Sequence, residues 1–229
     1  MAVEHGYGRI VTDGLFLAID VADENSYPDN GNSIFDISKN GRNMSLVNGA
    51  TVTNGVIVLD GANDYVNYGF GTLFNWTAIP YSICFWAKPT DFTYPAVVDL
   101  ISAGNGHFRF QIGSGDIRSQ FRTPGGSSSS LVTYSVSISS DEWYYCAFTR
   151  SGNTHKAYLN GVLGNTNSTA HLGTSTTGMS VIRIGYSADY DASDRTFEGS
   201  VGPLTIYNKT LSDTEIQQNY NATKTRFGL

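Results

Sequence analysis

VIVLDGANDYVNY, residues 56–68, reads as a strand, a tight turn and a second strand. Val56, Ile57, Val58 and Leu59 are apolar at both alternating positions, the pattern of a strand covered on two sides. Asp60-Gly61 opens the turn because glycine tolerates positive φ, and Tyr65–Tyr68 leads the chain out again.

Outward from this hairpin the chain keeps the same grammar. Leu15–Val21 and Met44–Val47 precede it as strands; Tyr81–Lys88, Ala96–Ser102, Leu131–Ile138, Trp143–Arg150, His155–Leu159, Val181–Tyr186 and Phe197–Tyr207 follow it. Asn160-Gly161 suits a two-residue hairpin turn with positive φ at both positions. Ser212-Asp213-Thr214-Glu215 is a capping box, in which a serine hydroxyl and a glutamate carboxylate each satisfy an orphan N–H, so a short helix should run to about Ala222.

Gly106–Ile112 and Ile117–Arg122 form a further hairpin across Gly113–Asp116. Pairing them puts Phe108, Phe110, Ile112, Ile117, Ser119 and Phe121 on one face. The other face then holds His107 opposite Arg122, Arg109 opposite Gln120 and Gln111 opposite Arg118, a flat polar patch. A one-residue slip would mix the two faces, which fixes the register.

Charged residues make up only 15% of the chain, while Gly, Tyr, Ser, Thr and Asn abound, as short strands and turns require. A net charge of −6 argues against nucleic acid as a partner, since binding it needs clustered cations. The start, MAVEHGYGRIVTDG, shows neither a cationic region followed by an apolar run nor a segment long enough to insert in a membrane, so a signal peptide is not expected. Cys84 and Cys146 both fall in core strands, and the reading favours free thiols.

The central stretch closely resembles the L-D-G-x-x-D-Y-V segment of laminin-G-like, concanavalin A-type jelly-roll modules. Gly14–Leu17, Asp36–Gly41, Ser82–Trp86, Trp143–Thr149, Tyr158–Gly161, Ile184-Gly185 and Phe197–Asn208 match the same family in order. The resemblance implies an all-β, concanavalin A-like jelly-roll sandwich of two antiparallel sheets with one short C-terminal helix. It divides the chain into an arm (1–12), one domain (13–223) and a tail (224–229).

That fold hosts lectins, glycoside hydrolases and structural modules, so the site decides between them. Retaining glucanases of the fold carry E-x-D-x-x-E along a strand, whereas Glu4, Glu24, Glu142, Glu198 and Glu215 stand isolated, so no catalysis is expected. The candidate ligand site is His107, Arg109, Gln111, Arg118, Gln120 and Arg122, with Tyr186 and Tyr190 as stacking platforms for a sugar ring. Three arginines in an acidic chain point to an anionic partner.

Relatives often hold calcium through loop oxygens, and Asp60, Asn63, Asp64, Asp189 and Asp191 are the donors that could do so here. Asp60 and Asp64 equally suit turn hydrogen bonds. The acidic residue that many relatives place before the Ile206-Tyr207 pair is missing, the segment reading Val201-Gly202-Pro203-Leu204, which weakens the carry-over of a calcium site and leaves calcium as the one cofactor still open.

Finally, Tyr207–Gly228 resembles the ends of stand-alone modules carried by tailed bacteriophages. This implies a virion protein assembled in the host cytoplasm, with capsid or tail proteins as partners, a structural or decorating role on the particle, and glycans as ligands. An adhesin whose main role is glycan recognition is the other reading.

Overall fold

The computed structural model of the chain describes residues 9–74, 79–93, 96–102, 106–122, 128–169, 179–187 and 195–229, with backbone alone at 70–74 and 128. The first strands are β1 (Leu15–Ile19), β2 (Ser33–Ile34), β3 (Met44–Val47), β4 (Thr51–Thr53), β5 (Val56–Asp60) and β6 (Tyr65–Phe74). Next come β7 (Tyr81–Pro89), β8 (Ala96–Ser102), β9 (His107–Ile112), β10 (Asp116–Arg122), β11 (Ser128–Ser135) and β12 (Tyr144–Ser151). β13 (Thr154–Leu159), β14 (Val162–Asn167), β15 (Met179–Ile184), β16 (Tyr186–Ser187), β17 (Arg195–Thr196) and β18 (Glu198–Tyr207) complete the strands. Helix α1 (Asp213–Thr223) and a 3-10 turn at Lys224–Phe227 end the chain.

The expected sandwich of antiparallel sheets is present. The first sheet runs β14-β13-β12-β7-β18-β5-β4, with β1 also on β18, and the second runs β11-β10-β9-β8-β15-β6-β3-β2. β18 pairs with β5 through Glu198–Val201 and with β1 through Leu204–Tyr207. The change of partner falls where the register against β7 shifts, between Val201 and Leu204, and Pro203 there has no N–H to donate.

Alternation explains the packing. Phe85, Leu100, Phe108, Phe110, Phe148 and Ile182 point between the sheets and are closed to solvent, each worth about 1.5–3 kcal/mol of burial. The first sheet is covered on its outer face as well. There Trp86, Tyr145, Tyr158 and Tyr207 pack under Ile216 of α1, whose capping box forms as the sequence dictates. The closing residues pack too, with Phe227 between Trp86 (ring centroids 4.2 Å apart) and Trp143 (4.5 Å).

Cys84 and Cys146 are free and buried. They stand on paired strands but on opposite faces, Cys84 in the outer cluster and Cys146 in the main core. No rotation of side chains brings them together. Burial pushes the Cys84 thiol up to about 11, so it stays protonated and inert.

The last described residues of the arm are docked on the domain itself. The Val11 N–H donates to Asn219 Oδ1, Asn219 Nδ2 donates to the Tyr207 hydroxyl, and that hydroxyl donates to the Val11 carbonyl. At the far side, Asn165 and Asn167 of β14 donate side-chain amides to the Thr133 and Leu131 carbonyls of β11, both at 2.7 Å.

One buried histidine makes stability depend on pH. His155 pairs with Arg150 across β12 and β13, its Nε2 has no hydrogen-bond partner among the described residues, and burial followed by the Arg150 charge lowers its pKa to about 4. The unfolded chain takes up this proton near its ordinary pKa of about 6.5, so stability is full above that pH and falls as pH drops towards 4. The loss reaches about 3 kcal/mol. Urea titrations at pH 7, 5.5 and 4 should show it, and His155→Gln should flatten most of the slope; an unchanged midpoint down to pH 4 would sink this assignment.

Candidate functional site

The register of the β9–β10 hairpin is the one the alternation dictates, with His107 opposite Arg122, Arg109 opposite Gln120 and Gln111 opposite Arg118. The polar face extends much further than the hairpin. Ser33, Ser45, Asn67, Arg183, Asp99, Arg109, Gln120 and Ser130 are successive register partners across all eight strands of the second sheet. Side chains in one register row share a face, so a polar stripe crosses the outer side of this sheet.

The stripe is not the flat, open patch that the hairpin alone suggests. His107, Asp99 and Gln111 are each 1% exposed, and Arg109 is 4% exposed. The β16–β17 ribbon lies against β8 on this side, and the Ser187 hydroxyl accepts a hydrogen bond from Arg109 Nε at 3.1 Å. A ribbon of two-residue strands thus roofs the centre of the stripe, while Arg118 and Gln120 towards β11 stay half-buried.

Several charges of this recess are paired with one another. His107 Nδ1 donates to Asp99 Oδ2 at 2.7 Å, and Arg109 Nε stands 4.0 Å from the same oxygen. Asp116 lies 3.4 Å from Arg118. Asp99 Oδ1, His107 Nε2 and Gln111 Oε1 are buried without a hydrogen-bond partner among the described residues. Orphaned buried acceptors cost about 1–3 kcal/mol each, so the arrangement is one that a donor-rich molecule would stabilise.

An aromatic pair adjoins the recess. Tyr65 and Tyr186 stack with ring centroids 5.4 Å apart, and the Arg183 guanidinium lies 5.1 Å from one ring and 5.5 Å from the other. Tyr186 and the arginine-bearing hairpin, distant in sequence, therefore meet on one face. Asp99, Arg183 and Tyr65 join them, and none stood out in the sequence; the one signal was a lone carboxylate inside the apolar run Ala96–Ile101. Tyr190 lies outside the described residues.

The central turn shows how its carboxylates are used. The Ala62 N–H donates to Asp60 Oδ1 at 2.8 Å, the Asp60 N–H donates to Asp64 Oδ2 at 3.3 Å, and Asn48 Nδ2 donates to the Asn63 carbonyl at 2.7 Å. Burial, then the Asp60 charge, push the Asp64 carboxyl above its ordinary range. These oxygens hold the turn, and no group of three His, Cys, Asp or Glu side chains able to hold a metal occurs among the described residues. Asp189 and Asp191 lie outside those residues.

A two-sheet jelly roll with a recessed polar stripe beside stacked tyrosines defines a lectin-like module. The chain belongs to the Concanavalin A-like lectin/glucanases superfamily, whose laminin-G-type family model matches residues 60–217.

Solved structures agree on the fold. The receptor-binding domain of botulinum neurotoxin C/D mosaic serotype superposes with a TM-score of 0.69 at 18% identity, over 92% of this chain and 51% of that one. The binding domain of Paraclostridial Mosquitocidal Protein 1 gives 0.68 at 17% identity, over 92% and 52%. The botulinum neurotoxin serotype D ligand-binding domain in complex with N-acetylneuraminic acid gives 0.66 at 17%, over 92% and 51%. The chain thus spans about half the length of these neighbours. No curated protein sequence matches it.

Proposed function

We propose that this chain is a non-catalytic glycan-binding module carried on the particle of a tailed bacteriophage. The observation that supports binding is the recess itself, where Asp99, His107 and Gln111 keep acceptors with no partner among the described residues, beside Arg183 and the Tyr65–Tyr186 stack. Sugars supply what is missing: hydroxyl donors in fixed array and a C–H face that packs on aromatic rings. The serotype D neighbour solved with N-acetylneuraminic acid supports the ligand class, not its position, because this chain matches only half of that protein. The virion setting rests on the likeness of Tyr207–Gly228 to phage modules, and capsid or tail proteins are the partners it implies.

A glycan array probed with the purified protein, with calcium and then with chelator, tests the reading. A specific hit should weaken roughly tenfold in Arg183→Ala and in Tyr186→Ala, each of which removes one strong contact while leaving the buried Asp99–His107 pair intact. Binding lost only in chelator would move the site to the aspartate loops. A blank array in both conditions would overturn glycan recognition and leave the decorating role, which saturable binding to particle shells would then measure.

A further inference from the structure

The opposite side of the molecule carries a second concavity. A groove of about 320 Å³ lies on the outer face of the first sheet. Its floor is a register row, Val58 of β5 beside Ser200 of β18 beside Lys88 of β7, and its end wall is Trp143 with Phe227. This volume sits at the lower end of the range for small-ligand sites.

The groove offers donors and no acid of its own. Lys88 is half-buried and makes no hydrogen bond or ion pair among the described residues; the same holds for the indole N–H of Trp143, whereas that of Trp86 is held by Thr223. Arg226 adds a second cation, fixed by two contacts to Asp20 at 2.7 and 2.8 Å and one to the Gly55 carbonyl. Glu198, two residues from Ser200, is turned to the Thr90 hydroxyl and does not line the groove. Asp20 meets the Arg226 charge, so Lys88 is the groove's cation without a counter-charge among the described residues, and on a lining that holds no acid it selects an anion.

The aromatic wall and the valine floor select a ring. Phe227 wedged between Trp86 and Trp143 holds the Trp143 indole in place, so an apolar ring face can lie against it without first ordering the side chain. Ser200 of the floor, with Thr53 and Asn54, supplies short polar groups. From this geometry we infer that the groove is a second ligand site, which takes a carboxylated sugar with its ring on Trp143 and its carboxylate on Lys88.

Fluorescence of the full chain titrated with D-glucuronate, D-glucose and acetate tests this. Glucuronate should change the tryptophan emission saturably in the millimolar range, with glucose and acetate each at least tenfold weaker. Lys88→Ala, at a half-buried position with no partner to lose, should reduce glucuronate to the level of glucose. Trp143→Phe should remove most of the signal, with binding followed by calorimetry. Arg183→Ala and Tyr186→Ala, at the polar stripe, should leave the titration unchanged. Equal binding of glucose would overturn the role of the carboxylate, and equal binding of acetate would reduce the site to an anion contact. An unchanged Lys88→Ala titration, or no response to any probe, would overturn the site altogether. Loss in Arg183→Ala instead would assign the sugar to the polar stripe, refuting the groove while sparing the first reading.

Discussion

Gly199→Ala should destabilise the fold severely, with a urea midpoint far below the parent's. Gly199 lies in β18 with φ +142°, a region open in practice to glycine alone, and an added Cβ would stand 2.2 Å from the Lys88 carbonyl oxygen and 3.0 Å from Pro89 Cα. Both obstacles are backbone of the paired strand β7, so no side chain can swing away. Relief requires prising β18 from β7 at the centre of the first sheet. A loss of at least about 4 kcal/mol follows, a large part of the reserve of an ordinary domain. Gly152→Ala is the control, since Gly152 has φ +57° with nothing within 4 Å of its Cβ position. That change should cost only about 1–2 kcal/mol. Urea denaturation of the two variants decides the matter, and similar midpoints would show that the close approach is not what glycine serves.

Asp99→Ala should be nearly as damaging, for an electrostatic reason. Asp99 is the carboxylate that faces His107 and Arg109 in the roofed part of the stripe, and it is Arg183's register partner. Removing it breaks the buried hydrogen bond to His107 and withdraws the carboxylate that stands 4.0 Å from Arg109, and losing one partner of a buried charged pair typically costs about 3–5 kcal/mol. Asp99→Asn keeps an oxygen for His107 and should lose distinctly less. Denaturation midpoints and a glycan-binding assay on the same samples separate stability from recognition. An Asp99→Ala variant as stable as the parent would mean that solvent or the ribbon already balances those charges.

The parts of the molecule that were legible in sequence are those governed by local rules. Strict alternation fixed the β9–β10 register because any slip buries arginines in the core, and the capping box placed the start of α1 to the residue. Asn160 and Gly161 have φ of +50° and +79°, as their turn demands.

What escaped depends on distant segments meeting. Val56–Leu59 looked covered on both faces, yet only Ile57 and Leu59 are buried, while Val56 and Val58 are half-exposed in the groove. An apolar strand face turned to a concavity reads the same as one turned to a core. The hairpin's polar face read as a flat patch because nothing in its own sequence announces a roof made from Tyr186–Ser187 and Arg195–Thr196. Phe227, in a stretch read as a tail, carried the one hint that the end of the chain packs: a large aromatic among polar neighbours.

The two asparagine amides that join β14 to β11 bear on how many copies of this protein can crowd together. An open strand edge invites a neighbour's strand, and repeated addition builds fibrils. Here Asn165 and Asn167 already occupy two outward carbonyls of β11. At other borders β4 has three residues and β2 two, too short to template much, and the free side of β1 is met by Asp36 and Ile37, which bond the Ala18 N–H and carbonyl. Packed shoulder to shoulder, molecules of this kind would touch through loops and faces, and the array would stay a collection of separate folds rather than fuse into one continuous sheet.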